Sequence, residues 1–160
     1  MIKYHRTAYK TLRGRRFGYE HSTVSHDRTG EKYLERWILY GFGITLRIHK
    51  FYRGDDDRAS HTHPWWFITF PLKSYLEDVY ERGRHVAIRE VKAFRLHYRP
   101  AQFEHIVKFG VETVQDDMFA HGYWRPYRKP FYTLVLTGSK SNEWGFYPEP
   151  DHFIHHRSYL

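Results

Sequence analysis

The chain is 160 residues long, the size of one domain, and 41% of it is hydrophobic, enough to close a core of ordinary density. It contains no cysteine, which excludes disulfides, zinc–thiolate and iron–sulfur sites and thiol nucleophiles, so a metal would have to be held by His, Asp, Glu or water. The formal net charge is +8; the N-terminal "MIKYHRTAYKTLRGRR" has no apolar stretch and no run approaches a membrane span, so a soluble, cytoplasmic chain with no membrane partner is expected.

Lys3, Arg6, Lys10, Arg13, Arg15 and Arg16 precede residue 17 with no acid among them, so this segment carries six of the eight excess positive charges. Residues 1–32 read as an irregular basic arm followed by a polar loop, "GYEHSTVSHDRTGEK", with turn formers and no periodicity. Lys10, Arg13, Arg15 and Arg16 are candidate nucleic-acid contacts; the alternative is a solvated arm that keeps the chain soluble. Aromatic residues make up 19% of the sequence, and broad rings favour the pleated faces of strands. "YLERWILYGFGITLRIHKFY" reads as strand material broken at Gly-Phe-Gly, with Ile44, Leu46 and Ile48 alternating with Thr45, Arg47 and His49. An acidic turn follows at Gly54 to Asp57, and "SHTHPWWFITFPL" then reads as a second strand whose Pro64 suggests an edge or a bulge. "HVAIREVKAFRLHY", "FEHIVKF", "FYTLVLTG" and "NEWGFYP" supply the remaining strands. Short strands divided by turns, without an amphipathic helix, predict an all-β antiparallel sandwich or barrel over residues 33–148, with residues 149–160 as a tail. His152, His155 and His156 in that tail have helical spacing, and adventitious metal binding is the reading given to them.

The stretch "RGDDDRASHTHPWW" carries the sharpest chemical signal. With 13 histidines in the chain, chance alone gives roughly one His-x-His, so spacing by itself decides little. On a strand, residues two apart point to one face, so His61 and His63 would both reach one metal ion, with Trp65, Phe67 and Thr69 beside them as water-poor walls. His105, in "YRPAQFEHIVKF", is the best candidate for a third ligand: Pro100 begins a turn, and the intervening segment is long enough for strands to leave and return.

His61-Thr62-His63 followed by Pro100-x-Gln102-x-x-His105 resembles the two motifs of the cupin superfamily, whose fold is an antiparallel jelly roll. More narrowly, "YLERW", "FYRGDDDRASHTHPWW", "RPAQFEHIV" and "TLVLTGSKSNEWGFYP" are similar to small cupin-like proteins of bacteriophage and bacteria, which places the cytoplasm in a bacterium or its infected host. Two positions depart from the family pattern. The glutamate that many cupins carry four or five residues after the histidine pair is replaced by Phe67 or Ile68, and Gln102 stands where glycine is usual. The resemblance therefore implies a three-histidine site without a carboxylate, similar to those of thiol dioxygenases and other iron cupins. It implies one divalent transition metal, Fe(II) first, with Zn, Ni or Mn as alternatives, because affinity follows availability and geometry more than ligand identity.

Three functions follow from these readings: a metal-dependent cupin enzyme, an oxygenase among the options, acting on a small molecule; a non-catalytic binding or structural cupin module; and a nucleic-acid- or nucleotide-associated protein. Further candidates for ligand or substrate contact are Asp57, with Asp55 and Asp56 beside it, Arg47 and His49, Glu143, Tyr98 and Trp65; Tyr98 and Tyr132 are candidate inward proton donors. For each the alternative is structural: a solvated acidic turn, an outward strand face, a paired strand end, or packing. Cupin-like barrels often pair, so a homodimer is an expected partner arrangement.

Overall fold

The computed structural model describes residues 2–12, 17–26, 29–55, 59–116, 119–127 and 129–159. Its strands are β1 (Ile2–Leu12), β2 (Phe17–His26), β3 (Lys32–Gly41), β4 (Ile44–Phe51), β5 (Ser60–His61), β6 (Phe67–Pro71) and β7 (Tyr75–Glu81), then β8 (Arg84–Val91), β9 (His97–Arg99), β10 (Glu104–Asp116), β11 (Phe119–Tyr127), β12 (Phe131–Thr137), β13 (Gly145–Glu149) and β14 (His152–His155), with one helical turn, α1 (His156–Tyr159). They form two antiparallel sheets, ordered β1-β2-β3-β4-β12-β6-β9 and β14-β13-β5-β10-β7-β8, with β11 on β10. This is the all-β antiparallel jelly-roll sandwich expected from the sequence. β1 to β4 pair in chain order, as do β7 with β8, β10 with β11 and β13 with β14, whereas β12 pairs β4 and β6, and β5 pairs β10 and β13, so the chain also crosses between the sheets and closes one interior.

Both expected irregular ends are instead ordered. Residues 2–12 and 17–26 extend the first sheet as β1 and β2, and residues 152–155 extend the second as β14. The charged composition of the first segment suggested a solvated arm, but an edge hairpin tolerates charge when it is paired across strands. Arg6 lies 3.2 Å from Glu20, and His21 bonds Glu35 at 2.9 Å while stacking on Trp37. The C-terminal turn is fixed by Tyr159, whose ring stacks on buried Phe146 at 4.1 Å.

The Gly-Phe-Gly break is a two-residue hairpin turn between β3 and β4. Phe42 and Gly43 both have positive φ, 52° and 77°, the twist that matches flanking strands. β4 then shows an inversion. Its apolar positions Ile44, Leu46 and Ile48 are exposed, whereas Arg47 and His49 face inward. The outward positions continue across the sheet as two apolar rows, Leu39-Leu46-Leu136-Ile68-Tyr98 and Trp37-Ile48-Leu134-Phe70. At one end of the interior, Val24, Tyr33, Leu34, Phe51, Tyr75, Val91, Val107 and Phe131 form the core, with Phe131 stacked between Phe51 at 5.1 Å and Tyr75 at 5.6 Å. Toward the other end the interior stays open as a cavity of about 540 Å³.

Candidate metal centre

His61 ends β5 and lies directly opposite His105 of β10 in the antiparallel ladder, which puts the two side chains beside each other. His63 arrives differently from the strand-parity expectation. β5 stops at His61 and β6 begins only at Phe67, so the histidine pair does not share one strand. The intervening backbone is clamped instead: Thr62 N–H donates to Gly145 O at 3.0 Å, His63 N–H to Ala101 O at 3.0 Å, and Asn142 Nδ2 to His63 O at 3.2 Å. Pro64 O accepts from the Ser141 and Asn142 amides. The turn begun at Pro100, closed by Phe103 N–H to Pro100 O at 3.0 Å, thus supports both histidine-bearing segments.

The three imidazoles converge. One nitrogen from each lies within 4.8 Å of the others, and ring centroids are 5.1, 5.4 and 5.1 Å apart. Among the described residues no other group of three metal-ligating side chains meets. His63 Nε2 and His105 Nε2 are 3.0 Å apart. Two ligands bound at about 2.1 Å and at right angles to one another would have about this separation. His61 and His105 are buried, and Phe67 packs against the rings of His63 and His105.

The residue that orients this site was not singled out in the sequence. Glu77 of β7 is buried beneath His105, and its Oε2 accepts from His105 Nδ1 at 3.0 Å while its Oε1 accepts from Arg99 Nη2 at 2.5 Å. Burial alone would raise the Glu77 carboxyl, but His105 and Arg99 together hold it below the ordinary carboxylate value. A carboxylate accepting at Nδ1 places the proton of a neutral His105 there and leaves Nε2 a lone pair for a cation. Arg99 is itself fixed over the Phe103 ring at 4.7 Å and donates to Tyr98 O. The donor set therefore fits a divalent ion: three imidazole nitrogens, one of them oriented by a buried anion. Its signal in the sequence was faint, an acid at an inward position in "SYLEDVYE", between Tyr75 and Val79.

The structure places the other candidates unevenly. Asp55 is buried in the cavity wall, its Oδ2 3.9 Å from His61 Nδ1. Asp57 and Asp56 lie outside the described residues, as do Arg13, Arg15 and Arg16; Lys10 is exposed on β1. Arg47, His49 and Trp65 all line the cavity, with the Arg47 guanidinium 4.3 Å from the Trp65 ring centroid. Burial, with the neighbouring Arg36 and Arg47 adding to it, holds His49 well below the ordinary imidazole value, so this ring is neutral. Tyr98, Tyr132 and Glu143 are not brought to the triad. The two tyrosines are exposed on the outer face of their strands, and Glu143 is exposed, its contribution being a backbone carbonyl that accepts from Thr62 Oγ1. In the C-terminal segment His156 stacks on Trp144 at 4.5 Å.

No protein-family model matches the chain. No curated protein matches it either. Solved structures do. AerE from Microcystis aeruginosa is 14% identical, with a TM-score of 0.46 over 68% of this chain and 43% of its own. The Fe(II) form of HppE is 7% identical, with a TM-score of 0.49 over 73% of this chain and 56% of its own. A cupin domain from Bordetella pertussis Tohama I is 11% identical, with a TM-score of 0.44 over 67% of this chain and 94% of its own. The chain thus spans about half the length of the first two. Among the described residues no helix is long and apolar enough to cross a membrane.

Proposed function

We propose that this chain is a metal-dependent cupin-type enzyme that acts on a small molecule held between the three histidines and the facing sheet, with Fe(II) as the working metal and oxygenase chemistry as the reaction class. The observation that carries the reading is the convergence of His61, His63 and His105 at the cavity, with His105 oriented by buried Glu77. A divalent ion held by three neutral imidazoles supplies a Lewis acid, and iron(II) adds the capacity for O₂ chemistry. The chain's own contribution is spatial and electrostatic. Glu77 holds the proton of His105 on Nδ1, Phe67 and Trp65 exclude water from one side, and Asp55 sets a buried carboxyl group near His61. The sequence resemblance to three-histidine iron cupins is what puts iron first among the candidate ions.

Elemental analysis of protein purified anaerobically and without a His-tag, beside the His105→Ala variant, tests this. Near one iron per chain, lost in the variant, is expected, followed by oxygen consumption with the right small molecule. A folded wild-type chain that takes up no iron, zinc, nickel or manganese would instead support a non-catalytic cupin module.

For a protein partner we propose a second copy of the chain, docked through the outer face of the first sheet. Its two apolar rows are five and four residues wide and contain no charged side chain, in a chain of net charge +8. An identical copy presents the same uncharged rows across a two-fold axis, with exposed Lys10 of β1 only at the far end of the first row.

A further inference from the structure

The wall built from β4, β12 and β6 carries two polar atoms that neither the metal site nor the fold uses. His49 of β4 and Thr133 of β12 are cross-strand partners, and both line the cavity. Directly opposed side chains of an antiparallel pair have Cβ atoms about 5 Å apart, so the two can reach one ligand atom. Thr133 is 1% exposed, and among the described residues its Oγ1 and the Nε2 of His49 are buried without a hydrogen-bond partner. Buried polar atoms are ordinarily paired, so two side by side in a cavity wall point to a ligand that pairs them. Thr69, on the next rung, shows the contrast, since its side chain shares a hydrogen bond with Tyr75. Thr137 Oγ1 is also unpartnered, but it lies four residues from Thr133, about 14 Å along β12, too far to share one group with it. The arginines of the lining are already engaged within the chain: Arg6 pairs with Glu20, Arg47 lies against the Trp65 ring, and Arg36 makes contacts of its own. Burial holds the His49 imidazole neutral. The wall therefore leaves hydrogen bonds open, and no charge. The adjoining rung, Phe51-Phe131, is apolar, and the His49 and Phe51 rings meet edge-on at 5.8 Å.

We propose that the His49–Thr133 rung recognises a single uncharged hydroxyl group, so that the cavity takes a neutral phenol or alcohol with an apolar body. A neutral imidazole nitrogen donates or accepts according to its tautomer, and a hydroxyl answers either state. Where Nε2 accepts, the ligand O–H donates to it and the ligand oxygen accepts from Thr133 Oγ1. Where Nε2 carries the hydrogen, the ligand oxygen accepts it and the ligand O–H donates to Thr133 Oγ1. A hydrocarbon leaves both atoms unpaired, and a carboxylate brings a charge to a wall whose arginines already have partners. The apolar body lies toward Phe51, Tyr75 and Val107, in a cavity of about 540 Å³ that holds a ring with room to spare. Calling this ligand a substrate rests on the proposed function; the hydroxyl site itself rests on the cavity wall, with no ion.

The test titrates the full chain, metal-free and again after incubation with Zn(II), with p-cresol, benzyl alcohol, benzoate and toluene, and reads dissociation constants from amide chemical shifts. Toluene is the parent hydrocarbon of both hydroxyl probes, so its dissociation constant divided by theirs is the hydroxyl preference. At least one hydroxyl probe shows a preference of about tenfold, the gain expected of two neutral hydrogen bonds, with or without zinc, and whichever shows it assigns the ligand as phenol or alcohol. Thr133→Val and His49→Phe each lower that preference about threefold, the loss of one such bond, while Thr133→Ser keeps it. If His49→Phe does not fold, Thr133→Val set against Thr133→Ser decides the matter. A chain that takes up no zinc yet keeps the preference would sink the metal reading and leave the hydroxyl site standing. The site is overturned if no probe binds, if toluene binds as well as both hydroxyl probes, or if benzoate binds more tightly than either. It is overturned equally if the preference survives both Thr133→Val and His49→Phe, or if it exists only with Zn(II) bound, where the hydroxyl would have been a metal ligand.

Discussion

Replacing Glu77 with glutamine separates the two tasks of this buried carboxylate. Its side chain is 1% exposed and that of Arg99 3%, and the pair is joined at 2.5 Å. Removing one charge of a buried pair costs about 3–5 kcal/mol, and because glutamine keeps the volume and one acceptor, the lower end, about 3 kcal/mol, is expected. The second effect reaches the metal. A glutamine amide has one acceptor oxygen, while both Arg99 and the Nδ1–H of His105 need one. If its NH₂ faces His105, the imidazole proton is driven to Nε2, the atom that would bind a cation. Loss of such an orienting partner lowers metal affinity about 10–100-fold, or about 1.4–2.7 kcal/mol. Urea unfolding of the metal-free protein reads the first effect, free of metal linkage, and competition with a chromophoric chelator for Zn(II) reads the second. A folded Glu77→Gln variant with wild-type zinc affinity would show that Glu77 serves Arg99 alone and would refute the orienting role.

Other outcomes follow from the same geometry. His61→Ala, His63→Ala and His105→Ala should each lose most bound metal while circular dichroism stays that of the wild type, since the aromatic core supplies most of the burial; full metal retention in all three would exclude the site. His49 is held neutral in the fold but takes up a proton when unfolded, so its folded pKa is depressed and stability is present above the ordinary histidine value and lost below it. Between that value and the folded pKa, each unit of acidification removes up to about 1.4 kcal/mol, and unfolding midpoints measured from pH 7 to pH 5 should fall less steeply in His49→Gln. Leu46→Glu sets a charge in the middle of an exposed apolar row. Sedimentation velocity should show a dimer for the wild type and a monomer for the variant, and a wild type that stays monomeric at about 100 μM would rule out the docking face.

The three histidines were legible in the sequence, but the argument that paired the first two was right only in its result. Strand parity would have set His61 and His63 on one face, whereas the chain leaves β5 after His61 and is steered back by bonds from Ala101, Asn142 and Gly145. Those partners lie about 40 to 80 residues downstream, as the bond from Asn142 to His63 O spans 79 positions, and no local pattern announces them. Glu77 was hidden for a related reason: its meaning comes from the rung it occupies beside β10, set by β7–β10 pairing and not by its neighbours in sequence. The N-terminal strands were hidden by their charge. Arg6, Glu20, His21 and Glu35 look solvated when read along the chain and become paired only when read across it.

β4 shows how an alternating pattern can be read correctly and still point the wrong way. Alternation of Ile44, Leu46 and Ile48 with Thr45, Arg47 and His49 establishes a strand with one apolar and one polar face. The usual assignment buries the apolar face, and here the reverse holds. Sequence periodicity fixes only that the two faces differ; which one turns inward depends on what the interior must contain. An interior filled by core side chains takes Leu and Ile, as the end around Phe51 and Phe131 does. An interior that keeps a cavity of about 540 Å³ beside three histidines has room for guanidinium, imidazole and hydroxyl groups. The displaced apolar residues then form an outer face, and this face becomes a surface to be covered. Thus the exposed apolar positions of β4 and the unpaired inward hydroxyls of Thr133 and Thr137 on its partner β12 accompany one polar-lined cavity. A cavity that bound no polar ligand would leave both without a physical cause.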